Sequence, residues 1–317
     1  MQRFLLQRLV LLAPTLLLAS LLIFAIIELA PGDPAQMMLG PDATPREVAT
    51  ERVRLGLDRP VPVRYLIWLE DVAHLNLGVS LVYDRPVTAL VLEAFPNTLR
   101  LAVSALVLSV AIGFPLGILA ALRQNQPVDF ALTTVSSLGL AIPSFWLGIL
   151  LILLFSVRLK WLPPSGVGSP DQGFGNSITY LVMPVCTIAV SNLAVFSRFV
   201  RSSMIDVLAA DFTRTARAKG LAERVVVTRH ALRNALIPVV TIVGIQFGRL
   251  LGGALITEAV FAYPGIGRLV VTSILNRDYP VVQAALMLIV LIFLAANLAV
   301  DLSYRYFDPR VSPGGAA

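Results

Sequence analysis

Six apolar stretches, each near the roughly 20 residues that a helix needs to cross about 30 Å of hydrocarbon, constrain this chain more than any other feature. They run at about 9–29, 98–122, 130–157, 178–196, 235–257 and 281–302. A segment in lipid has no water for its amides, so it must close its hydrogen bonds internally, and a helix does this alone. The sequence therefore predicts an all-α polytopic membrane protein. Composition agrees: of 317 residues 57% are hydrophobic and only 14% charged, against roughly 25% charged in soluble domains. Too few charges remain to cover a soluble surface.

The first run follows Arg3 and Arg8 in the manner of a secretory signal. It is longer than a signal core and no small-residue cleavage site follows, so a retained anchor is expected. Cys186 is the only cysteine, and His74 and His230 are the only histidines. An intrachain disulfide, a cysteine-built zinc site and a histidine-rich metal site are thereby excluded.

Basic residues in short loops mark the cytoplasmic side. With the N-terminus inside, the cytoplasmic segments collect Arg3, Arg8, Arg123, Arg198, Arg201, Arg214, Arg217, Lys219, Arg224, Arg229, Arg233, Arg305 and Arg310. The short outer loops hold Arg158, Lys160, Arg268 and Arg277. Both termini are therefore expected in the cytoplasm. The formal charge of +6 is explained by topology, without nucleic acid. The expected organisation is a cytoplasmic N-terminus and first span (1–30), an external loop with short helices (31–97), a five-helix core (98–302) with a cytoplasmic loop at 201–234, and a cytoplasmic tail (303–317).

Two polar segments read as folded. In the external loop, Thr44-Pro45-Arg46-Glu47 is a capping box with proline at the first helical position, and Gly56 ends the helix after Leu55. Segments 62–73 and 86–95 read as two further helices, with Tyr65, Trp68 and Leu69 suited to packing or to an interface. The loop fits both a lid over the outer helix ends and a docking surface. In the cytoplasmic loop, Asp211 is placed to cap a helix over 212–219 and Gly220 to stop it in a left-handed turn. Ala216 and Ala218 then lie beside Arg214, Arg217 and Lys219. Such a helix fits a partner's cleft, and equally a solvated basic loop that only fixes topology.

Arg214-Thr215-Ala216-Arg217-Ala218-Lys219-Gly220-Leu221, followed by His230-Ala231-Leu232-Arg233-Asn234-Ala235-Leu236-Ile237-Pro238, resembles the cytoplasmic signature loop of bacterial ABC importer permeases. The resemblance is closest to the first (B-type) subunit of the oligopeptide/dipeptide/nickel family. Ala216 and Gly220 match the general pattern; Arg214 and Thr215 replace its Glu-Ala pair. Further stretches continue the match in order: Pro31-Gly32-Asp33-Pro34, Leu55-Gly56-Leu57-Asp58-Arg59-Pro60, Leu77-Gly78-Val79-Ser80, Ala141-Ile142-Pro143-Ser144-Phe145-Trp146, Leu162-Pro163-Pro164-Ser165-Gly166, Glu258-Ala259-Val260-Phe261 with Pro264-Gly265-Ile266-Gly267, Arg277-Asp278-Tyr279-Pro280 and Asp308-Pro309-Arg310.

The resemblance implies a type I permease of the bacterial inner membrane that carries no cofactor of its own. It would pair with a second, homologous permease and with two ATPases that bind ATP and Mg, while an external binding protein delivers cargo such as dipeptides, oligopeptides, glutathione or nickel. Asp211, Arg214, Thr215, Ala216, Lys219, Gly220 and Leu221 would form the ATPase-coupling helix. The sequence agrees on one point: no Gly-x-x-x-x-Gly-Lys phosphate loop occurs.

Within the spans, Pro115, Pro143 and Pro184 fit kinks, and Gly244, Gly248 and Gly252 a close helix approach. Gln246 and Arg249 are costly to expose to lipid, so they are expected to line a pathway or to meet a companion subunit. Glu258 is a further pathway candidate at a span end, where Glu28 and Asp301 also sit. Cys186 and His230 read as packing and loop surface. An ion-coupled secondary transporter would carry midplane carboxylates and repeated halves, neither of which is evident. An intramembrane hydrolase would need a base or metal inside the bilayer, yet no span contains a histidine.

Overall fold

A computed structural model of the chain describes residues 2–29, 32–40, 42–168 and 174–307. Pro31 and Asp308-Pro309-Arg310 lie outside the described residues, as do the side chains of Arg3, Arg8, Asp301 and Arg305. The described residues are helical and carry no strand, only an isolated bridge between Val79 and Pro86. The chain divides into two compact units, one of Met1–Phe95 with Leu269–Leu291, the other of Pro96–Arg268 with Ile292–Ala317.

In the first unit, α1 (Gln2–Glu28) is followed by three short helices: α2 (Pro34–Leu39), α3 (Pro45–Arg54) and α4 (Val61–Ala73). The capping box forms as the sequence predicts. The Thr44 hydroxyl accepts from the Glu47 amide, and the Glu47 carboxylate accepts from the Thr44 amide at 2.7 Å. These bonds hold the Glu47 carboxyl below the ordinary 4.5 of a glutamate. Gly56 follows with φ of 68°, the left-handed turn that glycine supplies without strain. Phe24 of α1 stacks against Tyr65 and Trp68 of α4, the Ser20 hydroxyl meets that of Tyr65 at 2.9 Å, and Arg64 pairs with Glu28 at 2.7 Å. Tyr65 and Trp68 therefore pack α4 on α1.

Two motifs of unknown role in the sequence meet in this unit. Asp278, fully buried ahead of α13 (Tyr279–Phe307), accepts from the Ser80 hydroxyl and from the Leu81 amide at 3.1 Å. Segments Leu77-Gly78-Val79-Ser80 and Arg277-Asp278-Tyr279-Pro280 thus close on each other. The helix expected over 86–95 is not separate: α5 runs unbroken from Val87 to Leu122, with Pro96 and Pro115 inside it.

The second unit contains α6 (Pro127–Ala141), α7 (Ser144–Leu151) continued as a π-helical segment Ile152–Arg158, α8 (Phe174–Ala209), α9 (Asp211–Ala218), the single turn α10 (Glu223–Val225) with a π-helical segment Val226–Ala231, and α11 (Leu232–Val260). Helix α12 (Ile266–Leu275) begins in this unit. Among the described residues, four helices are long and apolar enough to span a bilayer, and two bent pairs raise the number to six if each pair is one span.

The stretch expected as one span over 130–157 is such a pair, bent by 96° between α6 and α7. Ile142 takes an extended conformation, with ψ of 122°, because the ring of Pro143 disfavours the helical region for the residue before it. The stretch over 235–257 lies in the second pair, bent by 48° near Pro238.

Helices α5 and α8 approach so closely that a Cβ on Gly117 would stand 2.6 Å from the Ser197 carbonyl and one on Gly113 2.9 Å from that of Leu193. A bidentate pair of 2.6 and 2.7 Å ties Arg201 of α8 to Asp129 of α6. The expected glycine row of α11 is used in part. Gly248 faces Phe293 of α13, whereas a Cβ on Gly252 would meet nothing within 4 Å.

Candidate functional site

The polar loop after α8 folds as a compact turn of helix. Ala210 is extended and occupies the cap position of α9, so Asp211 is the first helical residue and does not cap as the sequence suggested. From there its carboxylate favours the positive helix end and stands 3.8 Å from Arg214. Thr213 is fully buried and its hydroxyl donates to the Val207 carbonyl at 2.7 Å, pinning α9 to the end of α8. Gly220 has φ of 76° and terminates the helix as expected.

Ala216 does not lie on the outer face. It is 6% exposed, because Thr213 and Ala216 share the inward stripe of α9. The outward face carries Phe212, 45% exposed, with Arg214, Thr215, Ala218 and Lys219, and Leu221 follows at 40%. Arg217 bridges to Glu223 at 2.8 and 3.1 Å, which raises the arginine pKa and fixes the turn after Gly220. Beneath the loop, Val200, Met204, Val227, Ala231, Ala235 and Val239 form a buried apolar cluster. The outward face thus combines cations and two uncovered apolar side chains on a rigid base.

Inside α11, Gln246 is 8% exposed and its amide donates to Asn192 Oδ1 of α8 at 2.9 Å. Arg249 Nη1 reaches Gln246 Oε1 at 3.4 Å. Gln246 thus links Arg249 to Asn192, a residue that the sequence did not single out.

Glu258 is elsewhere. It is fully buried and accepts from the Thr98 hydroxyl at 2.7 Å and from the amides of Gly267 at 2.7 Å and Arg268 at 3.2 Å. The Thr98 hydroxyl in turn accepts from the Ile266 amide at 2.8 Å. Glu258 is therefore the side-chain cap of α12, its oxygens placed where the first amides have no helical partner. A Cβ on Gly265 would overlap its carboxylate, and one on Gly267 would overlap the α11 backbone at Leu255, which explains glycine at both positions. Leaving any of these buried donors without an acceptor costs about 1–3 kcal/mol. The expected pathway role of Glu258 is corrected on this ground, since its oxygens are committed to the fold.

The Leu162-Pro163-Pro164-Ser165-Gly166 motif joins the same region. Gly166, with φ of 98°, donates its amide to the Phe261 carbonyl at 3.0 Å, and Phe261 and Tyr263 anchor the surrounding apolar core. Among the described residues no group of three or more histidine, cysteine, aspartate or glutamate side chains is arranged to hold a metal ion.

Residues 113–313 match the family model described as binding-protein-dependent transport system inner membrane component, and residues 1–102 match the N-terminal model of such membrane components. The chain is 42% identical over 308 residues to the probable peptide ABC transporter permease protein y4tP of Sinorhizobium fredii, covering 97% of this chain and 98% of that protein. It is also 42% identical over 311 residues to the glutathione transport system permease protein GsiC of Salmonella typhi, covering 98% and 99%. Among solved structures, inward-facing MetNI methionine ABC transporter superposes with a TM-score of 0.60 at 18% identity, covering 70% of this chain and 98% of that one. An amino acid ABC transporter with histidines gives 0.51 at 16% identity, covering 71% and 95%. These two likenesses establish the fold.

Proposed function

The chain belongs to the family of binding-protein-dependent transport system inner membrane components, and from that premise we propose that it carries peptides or glutathione inward as the first permease subunit of an ATP-driven importer. The observation that carries this reading is the likeness to a peptide permease and a glutathione permease, 42% identical over nearly the full length of both. Nickel, the third cargo class of the resemblance, has no counterpart in those two relatives. A secondary transporter is disfavoured by the same likeness.

In this reading the chain has no catalytic site. A second, homologous permease completes the pathway, an external binding protein delivers cargo, and two ATPases hold ATP and Mg. Both termini and α9 lie on the cytoplasmic side. Phe212, Arg214, Thr215, Ala218, Lys219 and Leu221 present the surface that seats in an ATPase cleft, while Asp211, Ala216 and Gly220 set the shape of the helix behind it. Motion of the ATPases on ATP binding is passed through α9 and the pinned Thr213 to α8. Gln246 and Arg249 line the pathway.

Co-expression with the neighbouring genes, purification in mild detergent and an ATPase assay test the proposal. The expected result is recovery of a second permease and an ATPase pair, with hydrolysis stimulated by peptide-loaded binding protein. A chain that purifies alone and performs ion-driven uptake would overturn it.

A further inference from the structure

The 96° break between α6 and α7 brings the N-terminus of α7 to a cavity of about 130 Å³ in the second unit. Ser144 of α7, Ser191 and Asn192 of α8, and Arg249 and Thr257 of α11 line it. One water needs roughly 10–15 Å³, so a carboxylate-sized group has room. Ile188 and Leu250 complete the lining, and Ser191 Oγ and Asn192 Nδ2 already donate to the Ile188 carbonyl, so the donors left for a ligand are those of Arg249, Thr257 and the start of α7. Among the described residues no carboxylate pairs with Arg249, whose guanidinium makes a long 3.4 Å contact to Gln246 Oε1. Thr257 is 1% exposed and its hydroxyl has no hydrogen-bond partner, although a helical threonine commonly bonds the carbonyl one turn back. The cap residue of α7 is Pro143, which offers no side-chain acceptor to the free amides of the first turn. That end of the helix carries the positive pole and favours an anion.

A guanidinium, an orphaned hydroxyl and a helix N-terminus around one cavity form a site for a planar anion. We infer that this cavity receives the C-terminal carboxylate of a peptide in transit, with Arg249 as its charge partner and Thr257 and the start of α7 as further donors. The inference rests on the peptide reading above and narrows it: glutathione and peptides carry such a carboxylate, whereas a free nickel ion would be repelled. Asn192 and Gln246 are positioning residues. Their mutual hydrogen bond, with Asn192 Nδ2 anchored on the Ile188 carbonyl at 2.9 Å, fixes the floor on which Arg249 rests.

The test uses the assembled complex of both permeases and both ATPases, without binding protein, and measures binding of radiolabelled trialanine and glutathione. Unlabelled trialanine is expected to displace the label and its C-terminal amide to fail. Arg249→Gln and Thr257→Val each weaken binding, the former by about tenfold or more, the scale of one charge-assisted hydrogen bond, and Arg249→Lys retains part of it. If Arg249→Gln fails to assemble, Thr257→Val and the amide competition decide. Uptake into proteoliposomes with the binding protein present reads the transport function separately. Uptake with binding that ignores the amide, or that Thr257→Val leaves unchanged, overturns the carboxylate site alone. Absence of both binding and uptake for the two probes overturns the site and the peptide reading together.

Discussion

At the scale of single residues, local chain chemistry was legible and distant donors were not. Thr44 and Glu47 are three positions apart, so the capping box could be read from the sequence, as could the left-handed Gly56 and Gly220. Glu258 could not be placed, because the Thr98 hydroxyl it accepts from is 160 positions away. Its role yields a prediction: Thr98→Val strips one donor from the carboxylate and leaves the Ile266 amide without an acceptor, costing about 1–3 kcal/mol. Gly265→Ala forces a methyl into the same carboxylate. Both should lower the unfolding temperature of the purified protein in detergent; an unchanged melt would show that Glu258 is not the cap.

The Thr44 box has its own pH signature. A carboxyl whose pKa is lowered on folding stabilises above its ordinary value of 4.5 and loses that contribution as pH falls through the lower folded value. Amide protection at the start of α3 should therefore drop in acid, and Glu47→Gln should abolish the step.

At the scale of elements, run length announced the spans but not their bends. Pro115, Pro143 and Pro184 look alike in sequence, yet only Pro143 coincides with a break; α5 and α8 continue through the other two. The extended Ile142 before Pro143 accounts for the break once α7 is seen to pack across α8 and α11, a tertiary circumstance that spacing does not encode. The glycine row of α11 was conspicuous at every fourth position, but the tighter approach uses Gly113 and Gly117 of α5. Gly117→Ala should destabilise the chain by about 1–3 kcal/mol, because the added methyl would meet the Ser197 carbonyl at 2.6 Å and Val200 Cβ at 2.7 Å. Gly252→Ala, with nothing within 4 Å, should be neutral or stabilising by up to about 1 kcal/mol. Equal melting shifts for the two variants would refute the close α5–α8 packing.

At the scale of the whole molecule, the order of spans and polar loops could be read, while the partition could not. Residues 269–291 fall with the first 95 residues rather than with the core that surrounds them in sequence, since apolar run length carries no information on which helices pair. The face of α9 is the converse case. Its cations were plain in the sequence, but which side chains point outward was settled by Thr213 and Ala216 turning in. That leaves Phe212 on α9 and Leu221 just after it uncovered among outward groups that are otherwise polar or small, and exposed apolar groups of this kind mark a partner's seat. Neither contributes to the buried cluster beneath, so Leu221→Asp and Phe212→Asp should leave the chain folded. If α9 transmits the ATPase stroke, each variant should cut uptake by assembled complexes by about tenfold, a loss of roughly 1.4 kcal/mol in coupling, and ATP hydrolysis should lose its response to loaded binding protein. Full uptake by a correctly assembled double variant would assign the loop to topology alone, and the stroke would then have to enter through another element.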